Sequence, residues 1–143
     1  MSYSFKSNDR RSTYRLFLSH SWSYDDEYER MVDLLNEKSN FSWDNYSVPE
    51  KDKVNATTTA GLKRVLKNKQ IKPATVVVIL SGMYAEHSTW IKREVRIANE
   101  LDKQILAVKP HGNTRIPIYI RNRADKTVNW STNSVVRAIR DLA

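Results

Sequence analysis

The chain has no cysteine, which excludes disulfides, thiolate metal sites and cysteine nucleophiles. It has only three glycines, Gly61, Gly82 and Gly112, and they are scattered. Neither a glycine-rich dinucleotide fingerprint nor a P-loop can be assembled from them, because both need several glycines close together so that backbone can approach a phosphate. No apolar run comes near the roughly 20 residues that cross a bilayer, so no membrane partner is expected. The stretch Met1 to Arg11 lacks the apolar core of a signal peptide. Residues 1–12 are therefore expected to be a polar tail, residues 13–143 a single domain, and the cytoplasm the place of work. His20, His87 and His111 share no metal-ligand spacing with other ligands, and no metal is expected.

Acids are the scarcer charge, 16 against 24 lysines and arginines, leaving a net charge of +8. Such a balance attracts nucleic acid, acidic membrane or a phosphorylated ligand, without choosing among them. Lys63, Arg64, Lys67 and Lys69 fall outside a helix whose apolar stripe is Leu62, Val65 and Leu66, the pattern of a solvated face. A nucleic-acid partner is accordingly not expected.

What the chain does have is one strong strand, turn and helix. Thr75 to Leu80 is a continuous β-branched and apolar run bounded by Pro73 and Gly82, as in a strand buried on both faces of a parallel sheet. After the turn Ser81-Gly82-Met83-Tyr84, Ser88 or Thr89 can cap a helix in which Ile91, Val95 and Ala98 form the buried stripe. Trp90 and Glu94 lie one turn apart on an adjacent face.

The other segments order themselves around this unit. Tyr14 to Leu18 reads as the first strand, followed by the hydroxyl-rich loop Ser19-His20-Ser21-Trp22-Ser23. Tyr28, Met31, Val32 and Leu35 recur at helical spacing behind a capping box of Ser23 and Asp26. Phe41 to Pro49, with Trp43, Asp44, Tyr46 and Val48, reads as an edge strand leading into the charged loop Glu50 to Asn55. A second helix is expected at about Thr57 to Lys69, a further strand at Ile105 to Val108, a fifth at Ile116 to Ile120, and a last helix carrying Val135, Val136, Ile139 and Leu142. The alternation gives a three-layer α/β fold of flavodoxin-like type, with a mostly parallel five-stranded sheet in the order 2-1-3-4-5. In that order Ser19 to Ser23 and Ser81 to Tyr84 converge on one crevice at the switch point, where open α/β sheets bind their ligands.

Several known uses of such a crevice fit the residues poorly. A phospho-accepting receiver would need an aspartate where Ser81 stands and an acidic pair directly after the first strand. For a flavin-phosphate loop Ser19, Ser21 and Ser23 have roughly the right spacing but lack the glycine that lets backbone close on an anion, and this reading stays open as a lesser alternative. For Glu94 and Trp90, spacing alone leaves two readings open: a catalytic acid beside an aromatic wall, or an acid paired with Lys92, Arg93 or Lys103 on a wet helix face with Trp90 in the core.

Phe17-Leu18-Ser19-His20-Ser21 with Asp26, then Val77-Val78-Ile79-Leu80-Ser81, Tyr84, Ser88, Trp90 and Glu94, resemble the TIR domain, and within it the TIR-like group of bacterial antiphage proteins such as the TIR subunit of Thoeris systems. The resemblance runs from Tyr14 to Ala143, and the spaced Ser81, Tyr84, Ser88, Trp90 and Glu94 are its most specific part. It implies an enzyme that cleaves the nicotinamide–ribose bond of NAD, with Glu94 as the catalytic residue and NAD as substrate rather than cofactor. Substrate contacts are expected from Ser19, His20, Ser21, Tyr46, Ser81, Tyr84 and Trp90. It also implies a product derived from ADP-ribose, cyclised or not, that travels to a separate effector, and a homo-oligomer formed through TIR–TIR contacts in response to substrate or trigger. The competing expectation is a non-catalytic TIR-like scaffold that binds other TIR domains.

Overall fold

A computed structural model of the chain describes residues 13–19, 26–47, 66–109 and 115–143. Five strands form one sheet: β1 (Tyr14–Leu18), β2 (Trp43–Asn45), β3 (Val76–Leu80), β4 (Gln104–Val108) and β5 (Lys126–Val128). Their order is β2-β1-β3-β4-β5 and every pairing is parallel, as the sequence led us to expect. Leu18 lies opposite Val78 and Leu80 opposite Val108, so β1, β3 and β4 end at a common rim.

The reason β3 is central is visible residue by residue. All five of its side chains are removed from solvent, as are Leu16 to Leu18 of β1 and Ile105 to Val108 of β4. A strand with both faces covered needs no polar alternation, which is why these runs are continuously apolar.

The helices among the described residues are α1 (Asp26–Glu37), α2 (Tyr84–Glu100), the short α3 (Ile118–Arg121) and α4 (Thr132–Leu142), together with a π-helical turn at Leu66–Ile71 and a 3-10 turn at Ser81–Met83. The crossover from β1 through α1 steps outward to β2, while that from β3 through α2 steps the opposite way to β4. Right-handed crossovers then put α1 and α2 on opposite faces. The contacts agree: α4 packs on β4, β5 and α1, whereas α2 packs on β3, β4 and the π-helical turn. Met31 and Leu35 of α1, Ile91, Val95, Ile97 and Ala98 of α2, and Val135, Val136, Ala138 and Ile139 of α4 complete the core from the two sides.

Asn40 and Asp102 adopt left-handed backbone, φ 60° and 55°, just beyond α1 and α2. Asn and Asp tolerate this region because a short polar side chain can bond locally, and the reversal stops each helix. At Asp102 the next amide, Lys103 N–H, returns 2.9 Å to the carbonyl of Ala98. Ser131 caps α4, its hydroxyl accepting from the Ser134 amide at 3.2 Å.

Two expectations are corrected. The fifth strand is not Ile116 to Ile120: Pro117 lacks the N–H a ladder needs, and the residues after it turn into α3, with Arg121 N–H bonding the Pro117 carbonyl at 2.9 Å. The true β5, Lys126–Val128, is a short and largely exposed edge strand with no apolar alternation to betray it. It is aligned by Asp125, whose carboxylate accepts from Ile105 N–H at 2.7 Å while its own amide donates to the Ile105 carbonyl at 2.8 Å. The second correction concerns α2, which begins at Tyr84 directly out of the 3-10 turn, so that Ser88 and Thr89 lie inside the helix instead of capping it. Of the second expected helix only the end, Leu66–Ile71, falls in the described residues, and it is π-helical.

Candidate active site

Three serines lie along the rim where the strands end, and each ties one strand to the next. Ser47, following β2, accepts from Leu18 N–H at 3.1 Å and lies 3.2 Å from the Leu18 carbonyl, to which its hydroxyl donates. Ser19, following β1, accepts from Leu80 N–H at 2.7 Å, while its own amide donates to the Val78 carbonyl at 2.8 Å. Ser81, following β3, donates to the Val108 carbonyl at 2.7 Å. All three are buried. At each strand end the regular ladder stops, and a hydroxyl supplies the partner that a buried amide or carbonyl would otherwise lack. Two residues expected to contact substrate, Ser19 and Ser81, thus have their hydroxyls engaged in holding β1, β3 and β4 together along this rim.

Against the turn that follows β3 sits an acid from the first turn of α1, Glu27. A Cβ built on Gly82 would fall 2.6 Å from Cδ and 2.7 Å from Oε1 of Glu27. The carboxylate of α1 therefore occupies the space that glycine leaves open on the turn after β3, and its Oε1 is buried there. Gly82 is a glycine for reasons of close approach, the one signal in the sequence that could have pointed to this contact.

Glu94 is wholly buried on α2, on the same face as Ile91, Val95 and Ala98. It does not lie on a wet helix surface. Arg93 instead stands over the Trp90 ring, 5.2 Å from its centroid, and Lys92 stands 5.2 Å from the centroid of Tyr119. Trp90 is half-buried against the core, with its indole nitrogen inside. Because α2 starts at Tyr84, Glu94 sits ten residues along, about 15 Å from the helix start at the usual rise per residue. That is deeper than the sequence suggested. Charged groups are rarely buried this completely, and a carboxylate in such a place needs partners that compensate its lost hydration.

Tyr84 and Tyr46 are both half-buried against the core. Tyr84 opens α2, and the Tyr46 amide donates to the Leu16 carbonyl at 2.8 Å, placing Tyr46 beside the end of β1. Nearby, Asn45 donates through its amide nitrogen to the Tyr28 hydroxyl at 2.8 Å and accepts from the Ser47 amide at 2.9 Å, locking α1 to β2. His20, Ser21 and the charged loop Glu50 to Asn55 lie outside the described residues. Gln70, in the π-helical turn packed against α2, is fully buried, and neither of its amide atoms has a hydrogen-bond partner among the described residues. No group of three potential metal ligands occurs among the described residues.

A parallel sheet in the order 2-1-3-4-5, with a serine-stitched rim and an acid on the helix after its central strand, defines a TIR-like α/β domain. Residues 17–115, well over half the chain, match the model of the TIR-like domain of the Thoeris protein ThsB, and the chain belongs to that family. Its setting is therefore antiphage defence. No curated protein matches the chain. Among the described residues no helix is long and apolar enough to cross a membrane.

Proposed function

We propose that the chain is an NAD-cleaving enzyme of antiphage defence, in which Glu94 is the catalytic carboxylate. The observation that carries this reading is the complete burial of Glu94 on the helix that follows the central strand, within a chain of the TIR-like family. Buried ionisable groups cluster at functional sites, because there the environment can tune their chemistry.

The chemistry asked of it is limited. Breaking the bond between nicotinamide and ribose returns the bonding electron pair to the pyridine nitrogen, so neutral nicotinamide leaves and positive charge develops on the ribose ring. A carboxylate held close to that ring stabilises the charge in the transition state, as in glycoside hydrolysis. The leaving group needs no proton, so a second carboxylic acid is not required. Trp90 supplies a flat wall for the ring or the ribose. Capture of the ribose carbon by water gives ADP-ribose and a proton; capture by a nucleophile within the same molecule gives a cyclic product and a proton. The cyclic product is the form we assign, as a diffusible signal read by a separate effector. Ser19, His20, Ser21, Tyr46, Ser81, Tyr84 and Trp90 are assigned to the substrate side of the crevice, Ser19 and Ser81 through the rim they hold together.

Glu94 is shut off from solvent in the single chain. Catalysis therefore requires a movement that opens α2 or its covering segments, and we assign that movement to assembly of several copies, with the loop Glu50 to Asn55 of one copy completing the site of the next. Exclusion of water from such a closed site would strengthen the carboxylate's interaction with the developing cation.

The same burial favours a second reading, a scaffold that binds other TIR domains and never exposes Glu94. Incubation of concentrated protein with NAD, followed by chromatography, separates the two. Nicotinamide release supports the enzyme. Its absence at all protein concentrations, with TIR–TIR association still measurable, supports the scaffold.

A further inference from the structure

Away from the Glu94 crevice, the outer rim of the sheet carries a second concavity of about 560 Å³, in the size range of small-molecule sites. It opens at the C-terminal ends of β4 and β5. Three cations line it: Lys109 from the end of β4, Arg115 from the segment before α3, and Arg121 from α3 itself. None forms an ion pair with an acidic residue among the described residues, although Arg30 and Lys126 each have a carboxylate partner. Among the described residues no acidic side chain lines the cleft. Thr127, Asn129 and Ser134 add neutral donors.

Three separate segments thus bring positive charge to one concave place and leave it uncompensated. Such convergence favours an anion, and arginine in particular matches phosphate oxygens with two parallel N–H groups. The place is also right, since open α/β sheets take their ligands at the carboxyl ends of the strands. β5 lies two strand spacings, about 10 Å, from β3, so the cleft is a neighbour of the crevice and not a part of it.

We propose that this cleft binds the phosphates of a small nucleotide. Ile116 and Val128 form an apolar wall against which a base can lie, while Lys109, Arg115 and Arg121 hold the phosphates. A cleft confined to the ends of β4 and β5 suits a compact ligand, because a nucleic-acid strand needs a continuous groove along which to run. The inference does not depend on Glu94 being catalytic.

The test uses the full chain and two probes, inorganic pyrophosphate and ADP, titrated at moderate salt by calorimetry and by amide chemical shifts. Arg115→Ala with Arg121→Ala removes two cations from the cleft. Lys72→Ala with Arg96→Ala removes the same charge from exposed sites elsewhere. The expected result is at least a tenfold loss of pyrophosphate affinity in the cleft variant, wild-type affinity in the charge control and in Glu94→Gln, and shifts in the wild type centred on Lys109, Thr127 and Ser134. ADP should bind more tightly than pyrophosphate. Equal weakening in the cleft variant and the charge control, or wild-type shifts that avoid these three residues, would overturn the proposal. So would duplex DNA displacing ADP from the cleft at physiological salt. The wild-type shift map keeps the test decisive even if the double variant fails to fold.

Discussion

The Glu27 carboxylate fills the space against Gly82 that any other residue's Cβ would claim, joining the start of α1 to the turn that follows the central strand. Gly82→Ala must therefore push Glu27 aside. Its expected cost disappears once Glu27 is shortened: in a Glu27→Ala background the same substitution should be neutral, or stabilising by about 0.4–1 kcal/mol through the unfolded state. Urea denaturation of the four proteins in the cycle should yield a coupling energy of about 0.5–3 kcal/mol, whereas additive effects would mean that the two residues do not constrain each other.

Ser19→Ala leaves the buried Leu80 amide without its 2.7 Å acceptor. A stability loss of about 1–3 kcal/mol is expected from that orphaned donor. Ser81→Ala should cost less, since it deprives only a carbonyl, which has a second lone pair to share. A denaturant midpoint unchanged in Ser19→Ala would show that the rim is held by the ladder alone.

Gln70 offers a prediction of opposite sign. Its buried side-chain amide has no partner among the described residues, and Gln70→Leu replaces it with an apolar group of similar size. The variant should be more stable by about 1–3 kcal/mol, the usual penalty of an unsatisfied buried polar group. A fall in melting temperature would mean that the amide is satisfied in solution.

Assembly is tested by dilution. If one copy completes the site of the next, nicotinamide release per mole of protein should rise with protein concentration, and Lys51→Glu with Lys53→Glu should lower it while leaving the circular dichroism spectrum unchanged. Constant specific activity down to nanomolar protein, in a species that sediments as a monomer, would exclude a shared site.

The sheet and its order were legible in the sequence because burial on both faces writes itself as uninterrupted apolar runs: Val76 to Leu80 and Ile105 to Val108 could be little else. β5 was not legible, since a three-residue edge strand such as Lys126-Thr127-Val128 buries almost nothing and is placed by its ladder to β4 and by the carboxylate of Asp125. The start of α2 was misplaced for a related reason. Ser88 has the chemistry of a cap, but the 3-10 turn at Ser81–Met83 launches the helix without one. At the site, Glu94 and Trp90 stood out through a spaced motif, while the contact of Glu27 with Gly82 joins residues 55 positions apart and had no local pattern to reveal it. The strand-tying roles of Ser19, Ser47 and Ser81 were hidden likewise, because a serine at a strand end looks the same in sequence whether it faces a ligand or a neighbouring backbone.

The central claim, that Glu94 is the carboxylate that cleaves NAD, is tested most directly by Glu94→Gln, which keeps the side chain's shape and removes its charge. Wild type and variant, matched in concentration and in thermal unfolding, would be incubated with NAD and the released nicotinamide quantified by chromatography. The expected result is release by the wild type and a loss of at least a hundredfold in the variant, on the order of what removing one transition-state charge interaction costs. Equal release by the two proteins would contradict it.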